Sequence, residues 1–474
     1  MMKKFKKIFA AIAASALVAA MSFTSMAASI QINRGSAEGT NNTTYNYYQV
    51  LKASVSSDKS AVAYYVNDED LAEAIDQLKD SDGKDIFTVT SSVDKTKYNV
   101  ILNNEMTGKD KGEDIAAAFK SIVDDTELVK KIATGPINQN SEGIYKTPDL
   151  EDGYYLIVSS LGTKLAINTA TGADVCEIDE KNTYPTIDKF VDVLDKHQAN
   201  HNIGDDVPYI IKVTVPENVD TKLTITINDE MAEDFLKFNN DVTAVVDGTN
   251  AEFDAFKTEV ESNSNNSKFA ITLNDLTKAK GKTITFKYTA KLLQAAENNT
   301  YYDNKAKLSY SNYVTLEKTA SVRTFAFDLK KVNEAKTELT GAKFELRTNE
   351  TDSDSAIIFV ADVTKENYVK ADSTAAGSKT IEAGNVNIRG IKDGTYYLVE
   401  TEAPQGYNVL DHAITIVIDA NGNVADHAGN VVEVENKKGI KLPSTGGMGT
   451  TVFAIVGLLV MAGAAVTLIV KKRA

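Results

Sequence analysis

The chain has 474 residues, 43% of them hydrophobic and 25% charged, with 66 Asp and Glu against 51 Lys and Arg and a formal net charge of −15. That balance fits a globular chain with more than one domain, and it argues against nucleic-acid binding, which draws on basic patches. Cys176 is the only cysteine, so no internal disulfide can form.

At the N-terminus, MMKKFKK places Lys3, Lys4, Lys6 and Lys7 ahead of an apolar stretch at 8–20, and small residues follow at Ser25, Ala27 and Ala28. A basic start, an apolar middle too short to span comfortably and a small-residue cleavage site form a secretory signal, 1–28, cut after Ala27 or Ala28. The polar run at 22–25 argues against a retained membrane helix.

Residues 29–181 read as a mixed α+β domain. It opens on the strand-like TTYNYYQVLKAS, carries helical patterns at 68–79 and 114–131, and closes with EDGYYLIVSS and a further strand. Residues 182–320 alternate apolar and polar in TKLTITIND, KTITFKYTAKL and NKAKLSYSN. Residues 321–438 alternate similarly, with turn signals at Asp393-Gly394 and Asn421-Gly422. Both predict Ig-like β-sandwiches with Greek-key connections, so the fold class is mainly β. Asp152-Gly153-Tyr154-Tyr155-Leu156 echoes Asp393-Gly394-Thr395-Tyr396-Tyr397-Leu398. Aligned on Tyr-Tyr-Leu, Val158 takes the place of Glu400.

Several strands carry an apolar row that ends in one polar group, since residues two apart share a face. In 321–438, Phe325, Phe327 and Leu329 lead to Lys331, Val432 and Val434 lead to Asn436, and Tyr396 and Leu398 lead to Glu400. In 182–320, Ile187, Val191 and Val193 flank Lys189, and Asn304 shares a face with Ala306, Leu308 and Tyr310. Leu223, Ile225 and Ile227 lead to Asp229. Each set is an amine, an amide and a carboxyl. Burial lowers a lysine pKa and raises a carboxyl pKa, giving a nucleophilic amine beside an acid that polarises an amide. Either each lysine snorkels out at a strand end and pairs with its acid, or each set condenses to a Lys–Asn isopeptide bond with loss of ammonia. Two sets in consecutive domains, each linking first strand to last, favour condensation, with Asp229 and Glu400 as the catalytic acids.

Residues 439–474 hold KLPSTGG, an uncharged stretch at 448–470 long enough to cross a bilayer, and the basic Lys471, Lys472 and Arg473. Leu442-Pro443-Ser444-Thr445-Gly446 resembles the LPxTG sorting signal of Gram-positive surface proteins. The resemblance implies that a sortase cysteine attacks the Thr445 carbonyl, releases Gly446 onward and passes Thr445 to an amine. Removing the seven basic residues of the two terminal segments leaves 44 Lys and Arg against 66 Asp and Glu, about −22. The remaining roughly 420 residues fit about three domains.

KKVNEAKTELTGAKFELR, YYLVETEAPQGYNV and VEVENKKG resemble a collagen-adhesin B-type (Cna-B) domain, in which Lys331, Glu400 and Asn436 match the bond-forming set. Residues 182–320 resemble the middle domain of sortase-assembled backbone pilins, whose Lys, Asp and Asn match Lys189, Asp229 and Asn304. Nearly the whole layout resembles a Gram-positive backbone pilin, the major shaft subunit of a fimbria. That implies a pilin-type sortase joining Thr445 to a lysine of the next copy and a housekeeping sortase attaching the polymer to peptidoglycan. It also implies minor pilins and host surface ligands as further partners. The polymerising lysine is carried to Lys181, in Glu180-Lys181-Asn182, although the family's Tyr-Pro is absent there. Position 333 is Asn where the family often has Asp. With no acid at Val158, no bond is expected in 29–181.

The alternative is a monomeric wall-anchored adhesin, or a minor tip or base pilin, binding a host ligand. An enzyme is disfavoured. His197 and His201 in HQANH have a spacing that could ligate zinc on a helix, but the zincin Glu is missing. His412 and His427 stand apart, Cys176 has no neighbouring His, and no Gly-rich phosphate loop appears. No metal, cofactor or turnover of an external substrate is expected.

Overall fold

In the computed structural model the described residues are 28–34, 39–106, 112–180, 184–217, 219–247, 249–251, 258–297, 300–373, 377–440, 442 and 448–473. The expected signal segment lies outside them except for Ala28, which is buried and bridges Leu150. The chain divides into two compact units, 1–324 and 325–474.

In the first unit, Tyr45–Val55 is a central strand, paired with Val62–Val66, Ala133–Gln139 and Gly153–Ser159. Farther out, Ser29–Asn33 sits between Tyr145–Lys146 and Val175–Asp179, parallel to the latter. Two helices pack on this sheet, Glu69–Asp76 and Gly112–Asp124, burying Leu71, Ile75, Ile115, Phe119 and Ile122 with Leu51 and Leu156. Asp68 caps the first helix by accepting from the Leu71 N–H at 3.0 Å. The second is shorter than its sequence pattern. Asp125 captures the N–H groups of Glu127 and Leu128, which turns the chain out of the helix before a 3-10 turn at Val129–Lys131.

Residues 186–323 of the same unit form two sheets. One runs Thr186–Val191, Asp206–Thr214, Thr283–Leu292, Thr243–Val246, Thr249–Ala251. The other runs Gln198–Asn200, Lys318–Arg323, Tyr302–Tyr310, Ile225–Met231, Lys268–Leu273, Thr258–Ser262. Apolar residues alternate inward on both, as in Ile225, Ile227, Asp229 and Met231. Thr40–Asn41 adds to this second sheet through Tyr313–Val314, and Tyr310 and Ser311 donate to the Leu161 and Ser160 carbonyls at 3.1 and 2.7 Å. Those bonds tie 28–180 and 184–324 into one unit. Lys318–Arg323 pairs with Tyr302–Tyr310, so the second boundary falls at 324, not the expected 320.

The second unit is a β-sandwich. Its five-stranded sheet runs Phe359–Ala361, Asn367–Lys370, Asn385–Ile391, Phe325–Asn333, Val431–Asn436, and its four-stranded sheet runs Ile381–Ala383, Ala342–Arg347, Gly394–Glu402, Ile414–Ile418. The first and last strands, Phe325–Asn333 and Val431–Asn436, pair in parallel. Gly422, in the expected Asn-Gly turn, has φ +88°, and a Cβ there would stand 2.3 Å from Phe325 Cδ1, so glycine is required. The helix Met448–Lys471 contains a span, Thr451–Lys471, with mean hydropathy 2.6, long and apolar enough to cross a membrane.

Candidate functional site

Lys189 and Lys331 are the buried lysines among the described residues, each at 0% exposure. Such burial rules out the snorkelled reading for both.

Lys189 lies on Thr186–Val191 in one sheet of its sandwich, while Asp229 and Asn304 lie on paired strands of the other. Asn304 stands opposite Met231 and Asp229 opposite Ala306, so the acid and the amide are diagonal neighbours on the inner face. Asp229 is 1% exposed and Asn304 0%. Lys189 Nζ contacts Asp229 Oδ2 and donates to the Tyr288 hydroxyl at 2.6 Å. Tyr288 donates to Asp229 Oδ2 at 2.8 Å and accepts from Asn304 Nδ2 at 3.0 Å. The amine also lies 5.4 and 5.2 Å from the ring centres of Tyr209 and Tyr288. Burial pushes the Lys189 pKa down and the Asp229 pKa up, against their mutual attraction, so both move toward their uncharged forms. Val193, expected on this inward row, is 59% exposed because the strand ends at Val191.

In the second unit, Lys331 and Asn436 share a sheet, and Glu400 faces them from the other, 6% exposed. Lys331 Nζ donates to the Val434 carbonyl at 2.9 Å, two residues from Asn436 on the same strand. Burial lowers the Lys331 pKa. Glu400 Oε2 accepts from Asn436 Nδ2 and from the Leu410 N–H, both at 2.9 Å.

The two sets share a pattern of orphaned oxygens. Asp229 Oδ1, Asn304 Oδ1, Glu400 Oε1 and Asn436 Oδ1 are buried without a hydrogen-bond partner among the described residues. Each such atom costs about 1–3 kcal/mol, and the same two atoms, acid oxygen and amide oxygen, bear it in both sets. A buried polar atom left unpaired in a folded chain calls for an explanation, and a role in chemistry is one.

Lys331 and Asn436 do lie on the first and last strands of their unit. Asn304 does not lie on a last strand, because Tyr313–Val314 and Lys318–Arg323 follow it. The tyrosine echo is real but shifted. Tyr155 and Tyr396 each donate to the carbonyl four residues earlier, Glu151 and Lys392, at 2.8 Å. That pairing aligns Gly153 with Gly394 and puts Ser159, not Val158, in the place of Glu400. Ser159 is buried, accepts from the Leu161 and Thr163 N–H groups, and carries no acid.

HQANH is extended, with Gln198–Asn200 a strand, so its histidines do not share a helix face. His197 Nδ1 contacts the Lys189 carbonyl at 2.8 Å, and His201 lies between Asp192 and Asp205 at 2.7 and 3.6 Å. Cys176 is buried beside Thr171. Lys181 and 443–447 of the sorting motif lie outside the described residues, and Leu442 is 82% exposed. Sequence reasoning missed Tyr288, although the alternation in KTITFKYTAKL aims it inward with Phe286 and Ala290.

Residues 325–437 match the model of the SpaA prealbumin-like fold domain, and 434–474 match the LPXTG cell wall anchor motif. The fimbrial subunit type 1 of Actinomyces viscosus is 31% identical over 110 residues, which are 23% of this chain and 19% of that protein. The chain thus spans about a fifth of the length of the curated relative it matches. The Corynebacterium diphtheriae major pilin SpaA superposes with TM-score 0.45 at 14% identity, over 87% of this chain and 100% of that one. BcpA, the major pilin of Bacillus cereus, gives 0.43 at 16% identity, over 87% and 99%. Residues 325–437 are thus similar to a SpaA-type prealbumin-like domain and 434–474 carry an LPXTG cell wall anchor motif, which makes the chain a cell-wall-anchored surface protein.

Proposed function

We propose that the chain is the structural subunit of a covalently polymerised surface fimbria, with residues 29–181, 182–324 and 325–438 as its successive domains. The observation that carries this reading is the pair of buried Lys–acid–Asn sets in a chain ending in a cell-wall anchor. The local similarity to a fimbrial subunit supports it. In each set the uncharged amine attacks the Asn side-chain carbon, the acid hydrogen-bonds the developing oxyanion, and the amide nitrogen leaves as ammonia. The products are a Lys189–Asn304 and a Lys331–Asn436 isopeptide bond.

Polymerisation follows from the sorting motif. A sortase cleaves between Thr445 and Gly446 and joins Thr445 to Lys181 of the next copy, and a final transfer attaches the polymer to peptidoglycan. Tension along the chain then enters near Lys189 and leaves beyond Asn436. Two covalent links carry it past most of each sheet, where single hydrogen bonds are worth only about 1 kcal/mol net. Residues 305–330 alone lie between the two links on that path.

Mass spectrometry of cross-linked peptides from cell-wall material tests both levels. Expected are the two internal links and a Thr445–Lys181 junction, and Lys181→Ala abolishes the high-molecular-weight ladder. An unchanged ladder in that variant moves the junction to another lysine, and no ladder in the wild type leaves a monomeric adhesin.

A further inference from the structure

The two sets differ in how the acid meets the amide. Glu400 reaches Asn436 Nδ2 directly, at 2.9 Å. Asp229, one methylene shorter, makes no hydrogen bond to Asn304 among the described residues, and Tyr288 fills the gap. Its hydroxyl is 2.6 Å from Lys189 Nζ, 2.8 Å from Asp229 Oδ2 and 3.0 Å from Asn304 Nδ2. A phenol has one donor and two acceptor positions, and these three contacts use all of them: it donates to the acid and accepts from the amine and the amide. The ring cannot drift. It stacks on Tyr209 at 5.7 Å between centres and meets Phe238 and Phe269 edge-on at 5.8 and 5.0 Å.

We propose that Tyr288 is a catalytic residue of the Lys189–Asn304 condensation, relaying a proton from the attacking amine to the departing amide nitrogen. The inference rests on the condensation proposed above. When Lys189 Nζ bonds to Asn304 Cγ, the new C–N linkage carries one surplus proton, and the Asn304 nitrogen needs one to leave as ammonia. Tyr288 Oη accepts the first while its own hydrogen swings from Asp229 Oδ2 to Asn304 Nδ2. The Cγ–Nδ2 bond breaks, ammonia departs, and the phenol ends as it began. Burial keeps that phenol protonated before the reaction. Asp229 remains free to bind the amide oxygen through Oδ1, which has no other partner among the described residues. Tyr209, whose buried hydroxyl likewise has none, touches the amine only with its ring face.

The test follows bond formation in the full chain made by cell-free synthesis, with timed samples denatured, digested and analysed for the 189–304 and 331–436 linked peptides. Wild type forms both; a wild type without the 189–304 link overturns the condensation itself, and this inference with it. In Tyr288→Phe the 189–304 link slows by about 100-fold or more, the usual size of a general acid–base contribution, while 331–436 forms on time as an internal clock. Tyr209→Phe forms both at the wild-type rate. An unfolding midpoint equal to that of unlinked Asn304→Ala shows that Tyr288→Phe has kept its fold. If it has not, 3-fluorotyrosine at 288 preserves the ring and shifts the 189–304 rate with phenol acidity. A wild-type 189–304 rate in folded Tyr288→Phe, or in the fluorinated chain, overturns the role.

Discussion

Asn436 donates its side-chain amide to Glu400 across the second unit's sandwich at 2.9 Å, while its carbonyl oxygen and the other Glu400 oxygen have no hydrogen-bond partner among the described residues. The amide nitrogen is thereby held while its oxygen and the second carboxyl oxygen are left for the reaction. Glu400→Gln keeps the size and the hydrogen-bonding reach but removes the carboxyl group. The 331–436 link is expected to be absent from this variant, which retains one ammonia more than wild type, while 189–304 forms normally. A link across about 100 residues is worth about 4–5 kcal/mol by loop closure, and the second unit should lose that much in thermal unfolding. Full 331–436 linkage in Glu400→Gln would remove the acid from the reaction.

Lys189 and Asp229 are stable together because each answers the other's burial. Asp229→Ala leaves the amine, buried at 0% exposure in the native chain, without its carboxyl partner, a loss of about 3–5 kcal/mol beyond the missing link. Replacing the amine as well, in Asp229→Ala/Lys189→Met, should restore much of it, since neither variant is linked and only one holds a buried amine. The pH dependence has a definite sign. Burial lowers the folded Lys189 pKa below the ordinary 10.5, so unfolded chains bind a proton that folded ones have shed. The stability of Asp229→Ala therefore rises with pH until the unfolded lysine deprotonates near 10.5. The double variant lacks that rise in urea titrations. Equal pH profiles for the two would mean that Lys189 is solvated.

Much of this was legible because strand alternation is a strict code. A period of two placed Lys189, Asp229, Asn304, Lys331, Glu400 and Asn436 inside from sequence alone. What alternation does not encode is which strands pair. Alternation puts Asn304 inside but does not show that Lys318–Arg323 follows it as a further strand of the same sheet, which its ladder with Tyr302–Tyr310 decides. Register failed in the same way at the tyrosine echo. Tyr-Tyr-Leu matches as text, but the hydrogen bonds of Tyr155 and Tyr396 fix the alignment one residue away. Tyr288 was overlooked for a different reason: an inward tyrosine is ordinary core until its hydroxyl is seen among three reacting groups.

His201 gives the first unit a pH response that is independent of the links. Its ring sits between Asp192 and Asp205, and Lys196 bonds Asp192 at 2.6 Å from the same turn. Burial alone would lower its pKa, but the hydrogen bonds and charges of the two carboxylates outweigh it and raise the folded value above the ordinary 6.5. The folded state then binds more protons than the unfolded state between those two values. Its stabilising effect is complete below 6.5, and it is lost as pH rises through the raised folded pKa. The first unit's unfolding temperature should fall over that interval, and His201→Gln should flatten the fall while leaving both linked peptides in place. Because Asp192 holds φ at +64° at the strand end next to Lys189, a weakened grip by His201 should appear first as faster amide exchange around 192–201. Exchange there that ignores pH would show that the imidazole is not what pins this turn.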